Sequence, residues 1–382
     1  MRRVILGACA LGLSAGWNVA NTGAVAQQLA GRYGVGLATV GLFTTALLVT
    51  HLAIQIPGGR MSDRFGARRT GLLALGVIAV FAAVSTAAPA TGLALAMRAL
   101  TGIGTGLGFI AGSAYVRAIG GSPAAQGLYG GVGLAGGGLA LAIVPQAENW
   151  VGWRAPFVSS VVVAVIGLVL LAVAPADERR ARPVREEGLA GGVLRDRGLY
   201  RLAVLYGTSL GLSITAGNWV VTLLDRNGGV GKGTAGVVGS LTLVLGVVTR
   251  PLGGWILRNR PGSVRLAVGT SLAAAAAGTG LLTVAHPLAL AAAGAALVGI
   301  GAGIPFAPAF TGAAALRPDA PAAAVGLVNG AASAVALAGT PLLGLSFALP
   351  GDGRIGFAIV AALWAASLLV LPSERELGVE GY

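Results

Sequence analysis

The apolar stretches of this 382-residue chain hold two embedded positive charges, Arg98 and Arg250, while every one of the 13 acidic residues falls in a connecting segment or tail. A guanidinium placed in a low-dielectric interior is costly unless something neutralises it or accepts its protons. An incoming anion would supply the missing charge at Arg250, because its planar fork of donors suits an oxyanion. The structural alternatives are donation to backbone carbonyls or a side chain that reaches back to the near interface. His51 is the only group titrating near neutral pH inside an apolar run, so it is a candidate proton carrier. A lone histidine on an apolar face is equally a hydrogen-bonded core residue. Cys9 is the only cysteine and His286 the only other histidine, which leaves no disulfide within the chain and no zinc-type ligand cluster. No nucleophile–base pair or phosphate loop is present, so the chain reads as neither an enzyme nor a cofactor protein.

Polar residues recur at helical spacing around these charges. One stripe holds Ser14, Asn18 and Asn21, and a second holds Thr44, His51 and Gln55. Two more hold Ser209, Ser213 and Asn218, and Asn329, Ser333 and Thr340. Such stripes either line a cavity or bond helix to helix. Gln55, His51, Asn18, Asn21, Asn218, Asn329, Ser333 and Arg250 are the expected solute contacts.

The elements that carry them must be membrane helices. Hydrophobic residues make up 55% of the chain and charged residues 10%, against about a quarter in soluble proteins. Mean hydropathy is +0.83. Apolar runs of about twenty residues, enough to cross a ~30 Å hydrocarbon core, lie near 4–29, 38–57, 70–88, 92–116, 125–146 and 154–175. Six more lie near 199–223, 232–257, 264–285, 288–310, 321–347 and 354–372. The first begins after Met1-Arg2-Arg3 and runs on past Cys9, which favours a spanning helix over a cleaved signal. A charged segment, 176–197, separates residues 1–175 from 198–382, so two six-helix bundles joined by a linker are expected.

Net charge is +13, with 26 Lys and Arg. Nineteen of these fall in connections on the side of the N-terminus and five on the opposite side. That skew predicts a multi-pass protein of the cytoplasmic (inner) membrane with both termini and the linker in the cytoplasm. Basic residues spread over short loops, with 5% aromatics, exclude a nucleic-acid surface.

The two halves echo each other. Ala53–Gly59 reads AIQIPGG and Val248–Gly254 reads VTRPLGG, so an offset of 195 superposes the glycine pairs and sets Gln55 opposite Arg250. Just beyond, Gly59-Arg60-Met61-Ser62-Asp63-Arg64-Phe65-Gly66-Ala67-Arg68-Arg69 resembles the G-x-x-x-D-R-x-G-x-R-R signature of the major facilitator superfamily, placed in the loop after the second helix. Arg98-Ala99-Leu100-Thr101-Gly102-Ile103-Gly104 resembles the R-x-x-q-G-x-g element of its fourth helix, with Thr101 in place of Gln.

The resemblance implies an all-α fold of twelve transmembrane helices related by a pseudo-two-fold, acting as a monomer in lipid on a small-molecule solute. It gives Gly59, Asp63, Arg64, Gly66, Arg68 and Arg69 a conformational role, with Asp63 holding neighbouring helix ends together. Arg98 is read as structural or coupling. The Gly-rich run Gly130–Gly138, together with Ile54–Gly59 and Arg250–Gly254, is similar to the nitrate/nitrite porter branch. There the counterparts of Gln55 and Arg250 are both arginines clamping the anion, so Gln55 departs from the pattern and cyanate-type or other small-solute carriers compete. The expected function is transport of a small anionic solute by alternating access. The alternative is drug or metabolite efflux, which the missing Gly-Pro pair in the fifth helix and the missing membrane carboxylates disfavour.

Overall fold

A computed structural model describes residues 2–118, 123–175, 193–318 and 320–379. The charged stretch 176–192 and Asp319 lie outside the described residues. Among the described residues helices follow one another throughout and no strand occurs. Eight helical stretches meet the requirements of length and hydropathy for crossing a membrane on their own, and nine do when a pair bent by 50° at Ile54 counts as one. The longest of them, Ala125–Ala172, is two helices joined by the 3-10 turn Gly152–Arg154, with Gly152 at φ +59°. Arg197–Gly228 and Arg354–Val370 complete the twelve.

Helix 1 comprises Arg2–Ala20 and Ala26–Tyr33, and helix 2 comprises Leu37–Ala53 and Gln55–Phe65. Helices 3 to 6 are Ala67–Ser85, Thr91–Ala118, Pro123–Val151 and Ala155–Ala172. Helix 7 runs from Arg197 to Gly228 through a wider π-type turn at Gly207–Leu212. Helix 8 is Lys232–Val244 with Gly246–Asn259, helix 9 is Val264–Val284, and helix 10 is Leu288–Gly303 with Phe306–Leu316. Helix 11 is Pro321–Leu345 and helix 12 is Arg354–Ser367.

The packing repeats after six helices. Helix 1 packs on 5 as 7 packs on 11, 3 on 4 as 9 on 10, 2 on 4 as 8 on 10, and 3 on 6 as 9 on 12. The two bundles meet where helix 2 lies on 11 and helix 5 on 8, pairs that exchange under the same six-helix shift. This is the pseudo-two-fold that the offset of 195 announced. Many residues on the outer surface are large and apolar, including Leu369 at 87% and Val248 at 63% exposure. In water such a surface would aggregate, and in lipid it is solvated.

Two sequence expectations change here. The signature segment does not form a loop: Gly59–Phe65 continues helix 2, and Gly66 alone, at φ +89°, turns the chain into helix 3. Apolar periodicity stops at the hydrocarbon boundary, whereas the backbone hydrogen-bond ladder carries on beyond it until Gly66 breaks it. The segment expected as linker also ends early. Asp196 caps helix 7, its side chain accepting from the backbone N–H of Gly198 and Leu199, so the helix starts at Arg197.

Glycine explains the helix 5 seams. A Cβ at Gly136 would overlap the Leu13 carbonyl of helix 1, and one at Gly131 would lie 2.9 Å from the Gly246 carbonyl of helix 8. Backbone therefore meets backbone on two faces of one helix. In this way helix 5 touches both its own bundle and the other.

Candidate functional site

Between the bundles lies a cavity of about 100 Å³, room for roughly three waters at about 30 Å³ each. Helix 1 offers it Gly12, Ala15, Gly16 and Val19, and helix 5 offers Gly130, Gly133 and Gly137. These small residues make the hollow. Its polar groups are His51, Tyr206, Arg250, Asn329 and Ser333, contributed by helices 2, 7, 8 and 11. Among the described residues no carboxylate lines it.

Arg250 is 4% exposed and does not reach back to the interface. Its Nη1 donates to the Gly130 carbonyl of helix 5 at 2.8 Å, crossing from one bundle to the other. Nη2 donates to the Tyr206 hydroxyl at 3.4 Å, and the guanidinium stacks on Phe306 with its carbon 4.3 Å from the ring centre. Gly130 lies inside helix 5, so its carbonyl already has a place in the helical ladder. Nε of Arg250 is buried without a partner. The charge is thus solvated by one carbonyl, one hydroxyl and a ring face, with donor capacity left over.

His51 lines the opposite wall. Its Nδ1 lies 3.0 Å from the Thr105 hydroxyl of helix 4, which donates to the Gly102 carbonyl, and Phe109 stands 6.0 Å away ring to ring. His51 is therefore at once a hydrogen-bonded core residue and a cavity residue. On helix 11, Ser333 bonds the Asn329 carbonyl at 3.4 Å.

The other expected contacts lie elsewhere. Asn18 accepts from Arg98 and Ser160, and Asn21 donates to the Pro156 carbonyl and Ser160, so the helix 1 stripe faces helices 4 and 6. Asn218 accepts from Thr44 at 3.2 Å and donates to the Ile214 carbonyl, joining helix 7 to helix 2 beyond the cavity. Ser209 donates to the Gly301 carbonyl, and Ser213 and Thr340 bond their own helices. Gln55 sits one turn below His51 with Nε2 buried and unpartnered, outside the cavity wall. Tyr206, Phe109 and the flanking Phe306 were absent from the sequence expectation. No periodic polar pattern marks an aromatic, and the π-type turn at Gly207–Leu212 shifts which residues of helix 7 face inward.

The signature residues occupy helix ends. Arg68 donates from Nε to the Leu171 carbonyl at 3.0 Å and from Nη2 to that of Ala172, so it adds donors to the carbonyls that end helix 6. Asp63, Arg64 and Arg69 are exposed at the junction of helices 2 and 3, and Gly59 faces open space. Arg98 is 1% exposed and donates from Nη2 to the Asn18 carbonyl, one of the last four of the first helix 1 segment.

The cavity is closed on the face opposite the chain termini. There Gln27 donates to Asp225, Lys232 meets Glu148 at 3.6 Å, and Thr45 donates to the Leu337 carbonyl, each contact joining the two bundles. On the side of the termini helices 2 and 11 part. A Cβ at Gly59, Gly326 or Gly330 would meet nothing within 4 Å.

Two bundles of six helices, packed by one rule and enclosing a cavity closed at one end, define a carrier fold. The sequence model of the Major Facilitator Superfamily matches residues 6–341. This chain belongs to the major facilitator superfamily. As a member it is a multi-pass membrane transporter of small-molecule solutes. Its fold is shared by the nucleoside transporter NupG, at TM-score 0.76 and 13% identity, covering 97% of this chain and 98% of that one. It is also shared by the human organic anion transporter MFSD10 (TETRAN), at TM-score 0.65 and 18% identity, covering 97% and 99%. At these identities the likeness is one of fold. No curated protein sequence matches the chain.

Proposed function

We propose that this transporter carries a small anionic solute by alternating access, with Arg250 as the anion ligand. The observation that carries the reading is the state of Arg250: a guanidinium 4% exposed on a cavity wall that holds no carboxylate, with Nε unpartnered. An anion there would turn an uncompensated charge into a charge-assisted pair. His51, Asn329 and Ser333 complete the polar lining, and Gln55 lies along the exit path below His51. Asn18, Asn21 and Asn218 act as interhelical bonds that shape the walls. The 19-to-5 distribution of basic residues sets both termini in the cytoplasm of a plasma membrane, so the captured conformation faces inward. Residues 1–175 and 197–382 are the two rocking units, joined by the charged stretch 176–196.

Counterflow of small anions in proteoliposomes tests this reading. Arg250→Ala removes a buried partner whose loss costs about 2–5 kcal/mol, so exchange falls by at least ~30-fold while the melting temperature stays close to that of the native chain. Undiminished anion counterflow by Arg250→Ala overturns the assignment. Counterflow of uncharged nucleosides with no anion flux by the native chain would favour the metabolite-efflux reading.

A further inference from the structure

A second hollow, a surface groove, lies far from the transport cavity, where helix 12 ends. It has a volume of about 580 Å³, and Arg201, Arg265 and Arg375 stand around it. A second groove of about 480 Å³ shares Arg265, Leu371 and Glu374 with it and continues down helix 9 past Leu266, Gly269, Thr270 and Ala273. The two form one trough with a cationic end and an apolar, membrane-facing run.

The cationic end is built and only partly neutralised. The chain after helix 12 is tied down: Arg265 Nε donates to the Pro372 carbonyl at 3.2 Å, Glu376 accepts from the Ser373 backbone N–H at 2.7 Å, and Leu377 is fully buried. Glu376 spends its carboxylate on Ser373 and on Arg201 at 3.3 Å. That leaves both Nη groups of Arg265 and the whole guanidinium of Arg375 without a hydrogen-bond partner among the described residues, facing one remaining carboxylate, Glu374. Below them Leu266 is 69% exposed and Leu369 87%, so the apolar part opens to the acyl region.

We infer that this trough is a binding site for an anionic phospholipid, its phosphate held by Arg265 and Arg375 and an acyl chain laid along Leu266–Ala273. Charge and shape agree on this occupant. Arginines at the interface attract anionic headgroups at about 1 kcal/mol each, or about fivefold in affinity, and a free phosphate would leave the apolar run uncovered. A zwitterionic lipid would fit the run but not the net charge. The site is independent of the transport cavity and of its anion.

Native mass spectrometry of the full chain released from nanodiscs of equal phosphatidylglycerol and phosphatidylcholine tests the inference. Phosphatidylglycerol should be retained preferentially, and R265Q/R375Q should lose roughly 30-fold of that retention, about fivefold per arginine. Ala273→Trp, a substitution on the exposed face, should also release the lipid although both arginines remain. Glycerol phosphate at millimolar concentration should not compete. Equal retention of the two lipids by the native chain overturns the inference. So does full retention by a folded R265Q/R375Q variant, and so does displacement by glycerol phosphate, which would mark a soluble-phosphate site. The melting temperature of each variant shows whether it is folded.

Discussion

Two buried arginines, one per bundle, solve the same problem differently. Arg98 and Arg250 are 1% and 4% exposed, neither contacts a carboxylate, and each leaves Nε unpartnered. Arg98 donates to the Asn18 carbonyl, which closes a helix segment that ends at Ala20 and has no amide of its own helix to accept. It fills a structural vacancy, and a cation at a helix C-terminus is favoured by the aligned peptide dipoles. Arg250 donates to a carbonyl in mid-helix, which needs no second donor, and it does so across the gap between bundles and beside a cavity. The difference teaches that an embedded charge is judged by the need of its acceptor. Where the acceptor is an orphan, the arginine belongs to the fold. Where the acceptor is already satisfied, the arginine keeps donor capacity that the fold does not use.

The sharpest way to break the comparison is to exchange the readouts. Arg98→Met should leave the Asn18 carbonyl buried and unpaired, lowering stability by about 1–3 kcal/mol, a few degrees of melting temperature. Counterflow per folded molecule should stay within about twofold of native. A loss of transport without a loss of stability would move Arg98 to the functional side. Next in size is Gly136→Ala, whose added methyl overlaps the Leu13 carbonyl of helix 1. Overpacking of this kind costs about 1–3 kcal/mol, and thermal melting of purified protein measures it. An unchanged melting temperature would show that helix 5 is free to shift and would weaken its place as the rigid wall behind Arg250.

The smallest effect concerns an arginine that does have a carboxylate. Glu376 is partly desolvated, which by itself would raise its pKa. Its hydrogen bonds to Ser373 and the nearby Arg201 outweigh this and hold it below its ordinary 4.5. A depressed folded-state pKa means stability that is present above about pH 4.5 and lost as pH falls through the lower, folded value. Glu376→Gln should therefore melt slightly below the native chain at neutral pH, by under about 1 kcal/mol for a surface pair. The two curves should converge on acidification. A constant gap down to pH 3 would show that the carboxylate's charge contributes nothing.

Much of the fold was legible from the chain alone. Twenty-residue apolar runs, the repeat at 195 and the signature around Asp63 foretold twelve helices and their family, because lipid allows so few ways to bury a backbone. Of the expected solute contacts, Arg250, His51, Asn329 and Ser333 line the cavity. Asn18, Asn21 and Asn218 do not, although they sit in stripes of the same kind. A stripe says that one face of a helix is polar. It does not say whether that face meets a cavity or another helix, and Ser160 and Thr44 were waiting on the partners.

The chain's composition and periodicity determined that this protein spans a membrane twelve times, that its basic residues crowd one side, and that two arginines are embedded without acids. These are local properties, set by what each segment exchanges with its solvent. Only the tertiary structure decided that Arg98 ends a broken helix while Arg250 faces a cavity, that Tyr206, just before the π-type turn in helix 7, lines that cavity, and that Arg265 and Arg375 stand over an apolar trough. Those outcomes depend on which helices are neighbours and where each ladder is interrupted. Pairwise distances between segments remote in sequence carry that information, and no single segment contains it.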